Sequence, residues 1–94
     1  MSLTILIVDD EENAQKNMGA MLAKLGYETI GASTLAEARQ YLSQGVGDVV
    51  LLDVYLPDGY GLNLLPETAH LPTRPPIIIM TGNADIPMAV EAMK

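Results

Sequence analysis

The strongest constraint on the fold is an alternation of two hydrophobic periods along the chain. Short, nearly unbroken apolar runs, LTILIV from Leu3, DVVLLD from Asp48 and PPIIIMTG from Pro75, are separated by segments whose apolar residues recur every three or four positions. A run without a polar break is what a strand buried on both faces of a parallel sheet shows, and the wider period marks a helix lying on that sheet. After the first run, Ala14, Met18, Met21, Leu22 and Leu25 form an apolar helical face that closes at Gly26, where a left-handed residue costs least. YETIGA, from Tyr27, is a weaker second strand. Thr34-Leu35-Ala36-Glu37 then has the form of a capping box and opens a helix that packs Leu35, Ala38 and Leu42 and ends at Gly45 and Gly47.

Beyond the DVVLLD strand, LPDGYG reads as a turn and LNLLPETAHL as a third helix, in which Pro66 removes one hydrogen bond and predicts a kink or a shortening. A last helix is predicted from a cap at Asp85, with Ile86, Ala89, Val90 and Met93 on its apolar side, running to Lys94. Strands and helices thus alternate with short connections. That pattern predicts an α/β fold, with right-handed crossovers and a parallel sheet between helices on both faces. With 94 residues, 49% of them apolar, residues 1–94 make one small domain and not two.

In such sheets ligands collect at the carboxyl ends of the strands. The loops there are DDEE after the first strand, VYLPDG after the third and TGNAD after the fourth. If those strands are neighbours, Asp9, Asp10, Asp53 and Thr81 meet at one mouth. A lone aspartate at a strand end commonly does no more than cap a helix or a turn. Two acidic strand ends aimed at one place argue for a site.

Crowded carboxylates repel one another, and at least one of them would have its pKa raised. A hard divalent cation removes that conflict, and magnesium takes oxygen ligands from one or two carboxylates while keeping several waters. A carboxylate beside it can act as a nucleophile toward a phosphoryl group, with Thr81 bonding a phosphoryl oxygen. Twelve acidic residues against five basic ones give a net charge of -7, which disfavours nucleic acid and anionic membrane surfaces as direct ligands of this segment. There is no cysteine, so disulfides and thiolate metal sites are ruled out and a reducing cytoplasm is the consistent location. No apolar run approaches the roughly 18 residues of a membrane span. His70, in a loop-like stretch before Pro72, reads as a solvated side chain, and Met18, Met21, Met88 and Met93 read as packing residues.

The stretches ILIVDDEE, VVLLDVYLPDGYGLNLL, PPIIIMTGNAD and AVEAMK together resemble the receiver domain of bacterial two-component response regulators, in order and spacing, across the whole chain. The resemblance implies a flavodoxin-like three-layer sandwich with strand order 2-1-3-4. It implies that Asp53 is the phosphoryl acceptor, that Asp10 and Asp53 bind Mg2+ directly, that Asp9 assists through water, and that the Tyr55 backbone carbonyl completes the protein ligands. Thr81 would be the switch hydroxyl. The implied donor is a sensor histidine kinase, and the implied readout is an output domain, DNA-binding by the wording of MTGNADIPMAVEAMK, that regulates transcription. Such a chain is at most a catalyst of its own phosphorylation and dephosphorylation.

The family's pattern continues past AVEAMK with a fifth strand that carries a Lys-Pro pair and a fifth helix. Both are missing from this sequence, and Lys94, in the fourth helix, is not the family's site lysine. The fourth strand would then be an exposed edge and one sheet face beside the first helix would be uncovered, which predicts self-association. A phosphatase of the haloacid dehalogenase type would need a second acidic residue two positions after its nucleophile, where this chain has Tyr55. A flavin module would need a neutral, hydroxyl-rich loop in place of DDEE. A receiver-like interaction module that is never phosphorylated is the remaining alternative.

Overall fold

The computed structural model describes residues 3–72 and 74–80 of the chain. Strand β1 (Thr4–Val8) leads into helix α1 (Glu12–Lys24), strand β2 (Glu28–Ala32), helix α2 (Leu35–Ser43) and strand β3 (Val49–Asp53). A small hairpin of β4 (Tyr55–Leu56) and β5 (Gly59–Tyr60) follows, then a 3₁₀ turn at Gly61–Asn63, helix α3 (Leu64–Thr68) and strand β6 (Ile77–Met80). The predicted helix from Asp85 to Lys94 and the switch position Thr81 lie outside the described residues.

The main sheet has the order β2-β1-β3-β6 with every pair parallel, as the 2-1-3-4 reading requires. Alternate residues of the strands point to opposite faces. On one face Leu6, Val8, Val50, Leu52 and Ile79 meet Leu35, Ala38 and Leu42 of α2 and Leu64 of α3. Leu6, Val8, Val50 and Leu52 are each 0% exposed. Burying a side chain of this size contributes about 1.5–3 kcal/mol, so this layer dominates the stability of the sheet.

The other face carries Ile5 and Ile7 under α1. Close approach is possible because Gly19 sits over Thr29, where a Cβ would come 3.2 Å from Oγ1. The expectation that Met21 and Leu25 join this contact is corrected, since they are 62% and 68% exposed. Met21 lies about 90° round the helix from the centre of the half-buried stripe of Ala14, Gln15, Met18, Gly19 and Leu22 that faces the sheet, and Leu25 is the residue at which the chain leaves the helix. On the same face of the sheet Leu51 is half-buried and Ile78 exposed, so α1 covers the β1 and β2 side and leaves the β3 and β6 side open among the described residues.

Helix α2 begins as the capping box predicts. The Glu37 N–H donates to Thr34 Oγ1 at 3.1 Å, and the Glu37 carboxylate reaches back to the Ser33 N–H at 3.1 Å, one residue earlier than in the ideal box. Gly26 ends α1 with φ 93°. The long third helix is corrected to a 3₁₀ turn and a five-residue helix. Pro66 is its third residue, where the absent N–H is one of the donors a helix start leaves unpaired in any case. Thr68, buried at the end of α3, closes the helix by donating to the Leu65 carbonyl at 3.0 Å. Arg39 of α2 grips Glu67 of α3 with two parallel bonds of 2.8 and 2.9 Å. Among the described residues no helix is long and apolar enough to cross a membrane.

Candidate functional site

The acidic mouth is a product of sheet register. Val8 of β1 pairs with Leu52 of β3, so the next residue on each strand, Asp9 and Asp53, emerges at the same level on adjacent strands. Asp10 follows in the loop. Each of Asp9, Asp10 and Asp53 offers a carboxylate oxygen within 4.8 Å of the others, so the structure brings together the three aspartates singled out in the sequence.

The β1–α1 loop is held by its backbone. The Asp9 N–H donates to the Ala32 carbonyl at 2.9 Å, and Asp9 Oδ1 accepts the Glu11 N–H at 2.9 Å. Gln15 Nε2 donates to the Asp9 carbonyl and, at 3.0 Å, to the Ala32 carbonyl, tying the first loop to the end of β2. Sequence reasoning left Gln15 unassigned. The available signal was Gly31 within a strand, since any Cβ there would collide with the Gln15 carboxamide.

Asp53 is half-buried, and burial pushes its carboxyl above the ordinary value, with the Asp9 charge adding to the shift. The N–H groups of Tyr55 and Val54 oppose the shift by bonding the carboxylate, and Asp10 raises it a little further. The loop beyond is clamped in the core by Val54, 1% exposed, and Leu56, 9% exposed. Tyr55 is 60% exposed and its ring meets Tyr60 edge-on with centroids 5.8 Å apart, so any ligand role for Tyr55 belongs to its backbone. Gly61 donates its N–H to the Val54 carbonyl at 2.6 Å, and a Cβ on Gly61 would overlap the Asp53 carbonyl. This glycine, read from the sequence as an ordinary turn residue, is needed for the backbone to pass behind the acidic strand end. The hairpin in turn touches α2, because the Asp58 carboxylate accepts the N–H groups of Leu35 and Ala36 at 2.8 and 3.0 Å.

Among the described residues the donor set of the mouth is carboxylate oxygen, with neither histidine nor thiolate, and one carboxylate is destabilised as a free anion. Both features fit a hard divalent cation. Among the described residues the mouth is also open on the solvent side, where Asp10 is exposed.

Comparison with known proteins agrees with this geometry. The family model described as "Response regulator receiver domain" matches residues 5–94. The chain is 38% identical over 90 residues to the regulatory protein AtoC of Escherichia coli (strain K12), covering 96% of this chain and 20% of that protein. It is 40% identical over 92 residues to the transcriptional regulatory protein FixJ of Rhizobium meliloti (strain 1021), covering 97% of this chain and 45% of that protein. The chain therefore spans less than half the length of these two relatives. Among solved structures, the receiver domain of NtrC4 from Aquifex aeolicus superposes with a TM-score of 0.81 at 33% identity, covering 99% of this chain and 76% of that one. With the fold, the acidic mouth and the family model in agreement over nearly its whole length, the chain belongs to the response regulator receiver domains of two-component signalling.

Proposed function

We propose that Asp53 accepts a phosphoryl group from a sensor histidine kinase, with Mg2+ held by Asp9, Asp10, Asp53 and the Tyr55 backbone carbonyl, and that the modified domain switches an output surface. The observation that supports this reading most is the convergence of three carboxylates on a half-buried Asp53 whose pKa is raised. A raised pKa marks a more basic oxygen, and a basic carboxylate oxygen is the better nucleophile toward phosphorus. An Asp53 oxygen attacks phosphorus, a new O–P bond forms, and the bond from phosphorus to the donor nitrogen breaks. Its electron pair leaves with the imidazole, which takes a proton from solvent. When bound, Mg2+ supplies positive charge against the phosphoryl oxygens and the crowded carboxylates. The N–H groups of Val54 and Tyr55 orient the attacking carboxylate, and the Thr81 hydroxyl bonds a phosphoryl oxygen.

Drawing Thr81 toward that group shifts the population of the surface that follows it, and an output domain elsewhere in the protein reads the shift to regulate transcription. In this reading the chain is a single cytoplasmic domain that acts as acceptor and not as a turnover enzyme. Among the described residues, Ile78 on the β3 and β6 side of the sheet and Met21 and Leu25 on α1 are exposed apolar side chains, which supports self-association of the chain.

The test is intact mass after incubation with Mg2+ and acetyl phosphate, on this chain and on Asp53→Asn. A phosphate adduct that needs Mg2+ and is lost in the variant is the expected result. A folded chain without an adduct overturns the reading in favour of an interaction module that is never phosphorylated.

A further inference from the structure

We infer that Asp58 is a positioning residue, which straps the loop after the acceptor to the N-terminus of α2 and thereby sets how tightly the acidic mouth holds a divalent cation. The inference rests on the reading of that mouth as a metal-assisted acceptor site. Asp58 sits at the tip of the β4–β5 hairpin, five residues after Asp53. Its two oxygens accept the N–H groups of Leu35 at 2.8 Å and Ala36 at 3.0 Å, two of the donors that a helix start leaves unpaired. A carboxylate bound at both oxygens is fixed in direction as well as in place.

The helix start has a second cap of its own. Thr34 accepts the Glu37 N–H from within the same segment, so α2 is capped once locally and once from a loop more than twenty residues away. Thr34 stabilises the helix without touching the acceptor loop, whereas Asp58 joins the two. Gly59 reinforces that junction, because the hairpin passes so near α2 that a Cβ there would come 2.9 Å from Leu35 Cδ1. Between the strap and the acceptor lie Val54 and Leu56, both anchored in the core, and Tyr55, whose ring points out. The backbone of Tyr55 is thus held from both sides, by Asp53 and Val54 at one end and by Asp58 at the other. The Leu35 N–H first, with the Ala36 N–H and Arg39 adding, keeps the Asp58 carboxyl below the usual carboxylate range in spite of the opposing effect of burial, so the strap is ionised at neutral pH.

The experiment is a Mg2+ titration of the 94-residue chain, followed by amide NMR shifts, on the wild type, Asp58→Ala, Asp58→Asn and Thr34→Ala, with circular dichroism to verify folding. Removing an outer-shell partner of a metal site typically weakens affinity 10- to 100-fold. For this exposed mouth we expect Asp58→Ala to raise the Mg2+ dissociation constant about tenfold. Asp58→Asn keeps an acceptor for the Leu35 N–H and should fall between Ala and the wild type, and it carries the test if the Ala variant does not fold. Thr34→Ala should lower the melting temperature and leave Mg2+ affinity unchanged. Unchanged affinity in Asp58→Ala overturns the strap. Equal weakening by Asn and Ala that fades in high salt also overturns it, by assigning the effect to lost charge. A wild type that binds no Mg2+ refutes the metal-assisted reading itself, and the strap with it.

Discussion

Asp53→Asn should stabilise the metal-free protein, although it removes the group on which the proposed chemistry depends. Asn keeps an acceptor oxygen for the N–H groups of Val54 and Tyr55 and removes only the charge. At the 4.8 Å limit between the carboxylates, Coulomb's law gives about 3.5 kcal/mol per like-charged pair at an effective dielectric of about 20, and about 0.9 kcal/mol in bulk water. Asp9 is half-buried and Asp10 exposed. Solvent screening therefore brings the two pairs together down to about 1–2 kcal/mol. For a domain of this size that corresponds to a rise of roughly 5–10 °C in melting temperature.

The pH dependence gives the argument its sharper test. The folded-state pKa of Asp53 is raised by burial and by Asp9, so the folded chain binds that proton more tightly than the unfolded chain does. Stability is then lost as pH rises from the ordinary carboxylate value to the raised one, and the cost is fully present above it. The assay is thermal unfolding in EDTA at neutral and at acid pH, monitored by circular dichroism. The variant should melt above the wild type at neutral pH and together with it below about pH 4, where the unfolded-state carboxyl is protonated too. A variant no more stable at neutral pH, or one whose advantage survives in acid, would refute the view that Asp53 sits in a repulsive cluster.

The same structure makes three other demands. Gly61→Ala should displace the backbone behind Asp53, lowering stability by about 1–3 kcal/mol and cutting the yield of phosphate adduct. Wild-type melting and wild-type adduct yield would show that the loop can accommodate the Cβ. Leu52→Ala, in the fully buried layer below the mouth, should cost about 2–5 kcal/mol in urea unfolding, whereas Met21→Ala on the exposed side of α1 should stay within about 0.5 kcal/mol. Similar losses at the two positions would mean that the faces of the sheet have been assigned wrongly. A double-mutant cycle on Arg39 and Glu67 should give a coupling of up to about 1 kcal/mol at neutral pH. Because the Glu67 pKa is depressed by Arg39, that coupling is lost as pH falls through the depressed folded-state value, and a coupling that persists in strong acid would contradict the ion pair.

The strands and the three aspartates were legible in the sequence because each has a signal within a short window, whereas the strand order came only with the resemblance to receiver domains. Unbroken apolar runs mark buried strands, and an acidic residue ending such a run stands out against them. The capping box at Thr34 was legible for the same reason, since its two halves lie three residues apart. What was missed involves partners distant in sequence. Gln15 reaches across to Ala32, Asp58 reaches back to Leu35 and Ala36, and Gly61 is constrained by the Asp53 carbonyl. No local pattern separates these residues from ordinary helix and turn residues until the tertiary approach is known. The third helix failed differently. Its apolar period was real, but Pro66 and the preceding turn divided it, and periodicity alone does not say where hydrogen bonding changes from 3₁₀ to α.

The position of the acidic cluster follows from where the chain can hold it. Like charges at strand ends tend to push the strands apart, and this tendency is resisted where the layer beneath is packed most tightly. Val8 and Leu52, the last buried residues before Asp9 and Asp53, are both 0% exposed. Burial of two such side chains contributes roughly 3–6 kcal/mol, more than the about 1–2 kcal/mol of screened repulsion above them. The fold can therefore hold the carboxylates together in the absence of a cation, and part of the repulsion is released when one binds. On this argument Mg2+ must stabilise the wild type more than Asp53→Asn, by an amount that grows logarithmically with its concentration above the dissociation constant. Equal stabilisation of the two proteins would mean that the cation binds somewhere other than between these aspartates.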